Sequence, residues 1–257
     1  MQERRGIIDC MEEVNQHRRW LIARTGGGNL KETLILSEHA NLKGAEAVGV
    51  VVPDFIDPDD NSIFEYYQAI DRHITIPLMI YDPRGSGPYS PSPGLVERLV
   101  DEIPSVSGLK YRTTNGEYMA NMARIVGDKL ALLSGNEYTL LQDLSIGASG
   151  CVGGGANFYP NLLHKIYTLF KEDDIAQARS LQFQIIEAMH ALSDVYWPLS
   201  GKIVLQELGI PFQLITRVRG EPFDEDAVAY IRTTYSHYLK MERELIELDP
   251  EDLLTEG

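Results

Sequence analysis

Cysteine is scarce in this chain. Its 257 residues hold two, Cys10 and Cys151, too few for a disulfide framework and without the spacing of a metal site. Positive charge is also short, with 23 Lys and Arg against 38 Asp and Glu and a formal net charge of −15. No basic stripe offsets repulsion from phosphates, which argues against a nucleic-acid partner. No apolar run reaches membrane-spanning length, and the start, Met1-Gln2-Glu3-Arg4-Arg5, lacks the apolar core of a signal peptide. His17, His39, His73, His164, His190 and His237 show no ligand spacing and read as surface or helix-packing residues. The simplest expectation is a reduced, cytoplasmic protein that engages neither membrane nor nucleic acid. The hydrophobic fraction of 44% and charged fraction of 24% are those of a soluble globule. The length allows one α/β barrel domain or two smaller domains.

What is present is alternation. A helix over 3–17, with Ile7, Met11 and Val14 on one face, precedes the buried strand Trp20-Leu21-Ile22-Ala23,. Strands follow at 47–52, 77–81, 106–111, 130–135 and 150–152, separated by helical stretches near 30–43, 62–73, 91–101, 116–126 and 137–146. From 160 onward the pattern is helical only, near 160–171, 173–194, 198–208 and 224–246. Continuous apolar strands alternating with helices indicate a parallel sheet covered on both faces. The helix over 173–194, with Leu181, Ile185, Ala188 and Leu192, reads as core or subunit packing. Near the end, Glu242, Glu244, Glu247, Asp249, Glu251 and Asp252 read as a solvated face running into a frayed tail.

Lys110 ends the apolar run Val106-Ser107-Gly108-Leu109-Lys110-Tyr111. A lysine at the mouth of a barrel or sheet packs its stem against apolar neighbours. Desolvation then disfavours the ammonium form and frees a nucleophilic amine, the chemistry of a Schiff-base lysine. For an arbitrary lysine, snorkelling to water from a strand end is commoner; the repeating strand–helix setting favours the nucleophile. Gly153-Gly154-Gly155, after the last strand, fits either a backbone cradle for phosphate or close packing at the rim. Thr113 and Thr114 read as a turn into the next helix.

In order and spacing these segments resemble the dihydrodipicolinate synthase/N-acetylneuraminate lyase family of class I pyruvate aldolases. The likeness runs through Ala23-Arg24-Thr25-Gly26-Gly27, Val52-Pro53-Asp54-Phe55, Ile80-Tyr81-Asp82-Pro83, Gly108-Leu109-Lys110, Leu133-Ser134-Gly135 and the glycine-rich run ending at Asn157. It continues through Pro198 and Lys202-Ile203-Val204-Leu205-Gln206-Glu207-Leu208-Gly209. The resemblance implies a TIM (β/α)8-type barrel with additional C-terminal helices, often assembled as a dimer of dimers. It implies that Lys110 condenses with pyruvate or another 2-keto acid and that Tyr81 shuttles protons. The backbones of Gly135 and Val152 would line the pocket, with no metal or organic cofactor required. The residues by themselves leave Tyr81 as an aromatic capping the barrel, Gly135 as a packing glycine and Val152 as a core valine.

Three departures qualify the likeness. The family's Gly-Thr-Thr-Gly-Glu motif, which holds the substrate carboxylate, is absent, and so are the first strand, its helix and the second strand. Phe55 replaces a tyrosine of the synthases' proton relay. Tyr81-Asp82-Pro83-Arg84-Gly85 replaces the usual Tyr-Asn pattern, and Arg84 is either a contact for a distal carboxylate or a solvated loop residue. Six strands make an incomplete barrel with two open edges, so the expectation is either a piece of a longer protein or edges covered by oligomerisation or rearranged elements. The expected organisation is a partial barrel over 1–159, then the last barrel helix and a helical extension over 160–257, as one structural domain. The expected function is a Schiff-base lyase or aldolase on a 2-keto acid, in a homo-oligomer. The alternative is a non-catalytic relative that oligomerises or binds a ligand.

Overall fold

A computed structural model describes residues 1–51, 59–83, 90–193, 197–215 and 224–248. Phe55 and Arg84 lie outside them. In chain order the elements are α1 (Gln2–Asn15), β1 (Ile22–Arg24), α2 (Leu30–Leu42), β2 (Ala47–Val51), α3 (Asp60–Asp71), β3 (Leu78–Asp82), α4 (Pro93–Glu102), β4 (Val106–Tyr111) and α5 (Gly116–Val126). Then come β5 (Ala131–Ser134), α6 (Leu140–Ser145), β6 (Gly150–Cys151), α7 (Pro160–Lys171), α8 (Ile175–Ser193), α9 (Trp197–Glu207) and α10 (Glu225–Leu248). Two compact units divide them: Met1–Asn136 with Ser145–Cys151, and Glu137–Leu144 with the described residues from Val152 onward.

The first unit is built on one sheet of six parallel strands in the order β1-β2-β3-β4-β5-β6. Each strand pairs with the next in sequence, so successive crossovers step the same way around the sheet, as in a (β/α) barrel. A doubly wound sheet would reverse direction partway. The fold is that of a TIM-type barrel represented by six strands. Helix starts are fixed locally: Asn29, Asp59, Ser92 and Asn115 each accept a hydrogen bond from the backbone N–H three residues on, at 2.7–3.1 Å. Such caps stabilise by about 1 kcal/mol each, and they begin α2, α3, α4 and α5.

Alternation along the strands sends Val48, Val50, Leu78, Ile80, Leu109 and Leu132 into the helix layer, where they are buried with Leu36, Tyr67, Ile70, Leu99 and Met122,. On the opposite face Val51, Met79, Tyr81, Lys110 and Leu133 are only half-buried.

Two expectations change at the open edge. The first strand is shorter than expected, and Trp20 is 82% exposed rather than buried; among the described residues β1 pairs with β2 alone. The apolar stripe of α1 also faces outward, with Ile7 61% and Val14 60% exposed and Ile8 alone buried. Polar anchors set this rotation. His39 Nε2 lies 2.8 Å from Asp9 Oδ1, Lys43 Nζ lies 3.2 Å from the same oxygen, and Arg5 Nε donates to His39 Nδ1 at 3.3 Å. Arginine can only donate, so Nδ1 accepts and Nε2 carries the proton facing Asp9. Arg4 of α1 donates from Nη2 to the carbonyls of Arg24 at 2.8 Å and Gly26 at 2.9 Å. Leu21 O and Thr25 N bond to β2, so the Arg24 carbonyl points away from the sheet, and α1 supplies a donor there.

In the second unit, α7, α8, α9 and α10 pack on one another. Ile185, Ala188 and Leu192 of α8 are buried. The expected helix over 137–146 is instead a 3-10 turn, Glu137–Thr139, followed by the short α6. Glu242 departs from the solvated acidic face: it is 3% exposed. It accepts from Asn161 N at 2.7 Å and Leu162 N at 2.9 Å, and from Asn161 Nδ2. A carboxylate on α10 therefore caps the start of α7, whose first N–H groups have no partner within the helix.

Candidate active site

Tyr81 and Lys110 meet because β3 and β4 pair in parallel with these two residues in register, and Lys110 is in turn in register with Leu133 of β5. Their buried neighbours Ile80, Asp82, Leu109 and Tyr111 point to the helix layer. That leaves Tyr81 and Lys110 on the half-open face, at the carboxyl ends of their strands, where parallel barrels carry their sites. Lys110 Nζ stands 4.1 Å from the centroid of the Tyr81 ring, within cation–π range. Among the described residues no carboxylate pairs with this amine.

Gly135 follows β5 directly. Its N–H donates to Tyr111 O at 2.6 Å. A methyl group on Gly135 would stand 2.7 Å from that oxygen and 2.8 Å from Lys110 Cε, so the absence of a side chain leaves the volume that the lysine stem occupies. The structure thus brings Lys110, Tyr81 and Gly135 together. Val152 belongs to the second unit, where its side chain is 42% exposed. Arg84 is outside the described residues.

Arg24 joins this face, and the sequence pattern did not single it out. On β1 the buried Ala23 points to the helix layer and Arg24 to the other side. Its guanidinium carbon lies 5.4 Å from the centroid of the same Tyr81 ring. Arg24 is in register with Gly49 of β2, and Gly49 with Met79 of β3, so the missing side chain at 49 opens the way across. The available signal was a long cation at the alternation position of a strand end, directly before Thr25-Gly26-Gly27. That turn is tied down by Thr25 N donating to Gly49 O at 2.9 Å, by the Thr25–Ser37 hydroxyl pair at 2.8 Å and by Gly27 N donating to Thr33 Oγ1 at 3.0 Å.

Behind the site, burial pushes the Tyr67 and Tyr118 phenols up, and the charge of Asp82 adds to both,. Thr113 Oγ1 accepts from Asn115 N at 3.0 Å, in the turn that leads to the cap of α5. The glycine run is no phosphate cradle. Gly155 N donates to the buried carboxylate of Glu137, and a methyl on Gly153 would overlap that same carboxylate. The protein's own anion fills the space, and the glycines allow the close approach. Among the described residues no group of three His, Cys, Asp or Glu could hold a metal ion, and no helix is long and apolar enough to cross a membrane.

Residues 1–237 match the model of the Dihydrodipicolinate synthetase family. The chain belongs to that family. It is 27% identical over 190 residues to the 4-hydroxy-tetrahydrodipicolinate synthase of Archaeoglobus fulgidus, covering 74% of this chain and 65% of that enzyme. The chain therefore spans about two thirds of this relative's length. In structure it is similar to a monomeric dihydrodipicolinate synthase variant, with a TM-score of 0.85 and 19% identity over 93% of this chain and 80% of the other. It is also similar to the N-acetylneuraminate lyase of Mycoplasma synoviae, with a TM-score of 0.84 and 20% identity over 93% and 80%. These two structures share the fold, and dihydrodipicolinate synthetase family membership accounts for the sequential parallel strands and the C-terminal helices.

Proposed function

We propose that this chain is a Schiff-base lyase or aldolase acting on pyruvate or another 2-keto acid, with Lys110 as nucleophile and Tyr81 as its proton partner. The observation that carries the reading is the register pairing of the two residues, with the amine 4.1 Å from the ring centroid and no carboxylate holding it among the described residues. Family membership supports it. In the proposed sequence the Lys110 amine attacks the keto carbon and a C–N bond forms. Proton transfer to the oxygen, through the Tyr81 phenol, lets it leave as water. The iminium draws electrons from the neighbouring carbon, which loses a proton to give an enamine. That carbon then forms a bond to a carbonyl partner, or in reverse breaks one, and water hydrolyses the imine to free the lysine. Gly135 leaves room for the stem that carries the amine.

Self-association and a cytoplasmic setting belong to the same proposal. The exposed Ile7, Met11 and Val14 stripe on α1 supports the first,, and the low cysteine content, two residues in 257, supports the second,. Borohydride reduction in the presence of pyruvate tests the chemistry. The expected result is a mass adduct on the peptide containing Lys110, lost in K110M. A folded wild-type sample that gives no adduct with pyruvate or longer 2-keto acids would overturn the assignment and leave the non-catalytic reading.

A further inference from the structure

A 2-keto acid carries its carboxylate on the carbon next to the one that Lys110 attacks. A site for it therefore needs a second cation or a set of donors close to the amine. The protein as a whole repels such a ligand, at a net charge of −15, so the attraction must be local. Among the described strand positions on the half-open face, the charged residues are Lys110 and Arg24. Both bear on one ring, the amine at 4.1 Å and the guanidinium carbon at 5.4 Å from the Tyr81 centroid.

We propose that Arg24 receives the carboxylate of the 2-keto acid whose carbonyl Lys110 attacks. The assignment rests on the Schiff-base reading above and adds the residue that makes the site selective for acids. Contact with a ring face orients a guanidinium without consuming its N–H groups. Among the described residues the Arg24 side chain makes no hydrogen bond or ion pair, so its donors remain for a ligand. A planar fork of N–H donors matches a carboxylate better than a point charge does. The strand end that carries Arg24 is fixed by the Thr25 and Gly27 bonds, and a methyl on Gly26 would stand 2.7 Å from Val51. Arg24 therefore projects from a rigid base.

The surroundings favour an anion. Arg24 and Arg4 line one groove of about 770 Å³ beside Gly26, Gly27 and Gly28. Arg4 has its pKa lowered by burial first and by the charge of Arg24 second, against a smaller opposing effect of Glu32. The Arg24 charge that weighs on Arg4 in this way is offset by an anion beside Arg24,.

The test compares wild type, R24Q and R24K, with pyruvate and with its neutral analogue pyruvamide. Ligand-observed NMR reads binding and borohydride trapping reads the imine. Losing a charge-assisted pair weakens binding by about 10- to 100-fold. R24Q is therefore expected to raise the pyruvate concentration for half-maximal binding and trapping by that factor, while its response to pyruvamide stays within about 3-fold of wild type. R24K keeps the charge without the fork and recovers part of the loss; it also serves as the informative variant if R24Q melts early. Equal pyruvate affinity in wild type and folded R24Q or R24K overturns the Arg24 assignment and leaves the Lys110 chemistry standing. Arg24-dependent pyruvate binding without an adduct on Lys110 keeps the carboxylate site and overturns the Schiff-base reading. No pyruvate binding in the folded wild type overturns both.

Discussion

Replacing Gly135 by alanine probes the packing that sets the position of the Lys110 amine. The added methyl would meet Tyr111 O at 2.7 Å and Lys110 Cε at 2.8 Å, with Arg112 Cβ at an ordinary 3.5 Å. The carbonyl cannot retreat freely, because it accepts the Gly135 N–H at 2.6 Å. Relief comes from the lysine stem, the strand end or both. Overpacking of this kind costs about 1–3 kcal/mol, which lowers the melting temperature by roughly 2–10 °C in a protein of this size. A stem pushed aside also moves Nζ off the Tyr81 ring, and a misplacement of about 1 Å at a reacting group costs on the order of 100-fold in rate. The assay is the time course of borohydride trapping with pyruvate, run beside thermal unfolding. Gly108→Ala is the control. It changes the same strand, but its methyl would meet only Met79 at 3.4 Å and Ala131 O at 3.5 Å, so trapping stays near wild type. Trapping by Gly135→Ala as fast as wild type, with an unchanged melting temperature, would refute the reasoning.

Two further predictions concern stability. Burial raises the pKa of Tyr67 and Tyr159, both of which are fully buried. For a raised pKa, stability is fully present below the unfolded value of about 10 and is lost as pH rises through the folded one, by about 1.4 kcal/mol per pH unit for each such group. Alkaline titration followed at 295 nm is expected to show exposed tyrosines ionising first and a later step that coincides with loss of circular dichroism; smooth ionisation of all 13 tyrosines without unfolding would contradict it. Glu242→Ala strips the acceptors from Asn161 N and Leu162 N, and leaving such groups unpaired costs about 1–3 kcal/mol. Burial outweighs those hydrogen bonds and raises the Glu242 pKa, so the wild-type advantage is greatest in acid and shrinks as pH rises through the raised value, readable as converging melting temperatures.

The alternation of strands and helices, the positions of Lys110 and Tyr81 near the ends of their strands, and the family likeness can all be read along the chain. These are legible because strand period, helix caps such as Asn29 and Asn115, and motif order are properties of neighbours along the chain,. Tertiary structure decided what depends on partners far apart in sequence. The stripe Ile7, Met11 and Val14 has helical period, yet it faces outward because Asp9 and Arg5 find His39 some thirty residues away. Glu242 looks solvated within its acidic run, but it lies buried at the start of α7, 80 residues earlier. Gly153 and Gly155 suggest an anion cradle until Glu137 is seen occupying it. Arg24 carries only a faint local mark, a cation at a strand end; the register of β1, β2 and β3, with Gly49 leaving the path open, brings its charge to the ring that faces Lys110. A periodic pattern fixes which way a side chain points from its own strand, and only packing fixes what it meets there.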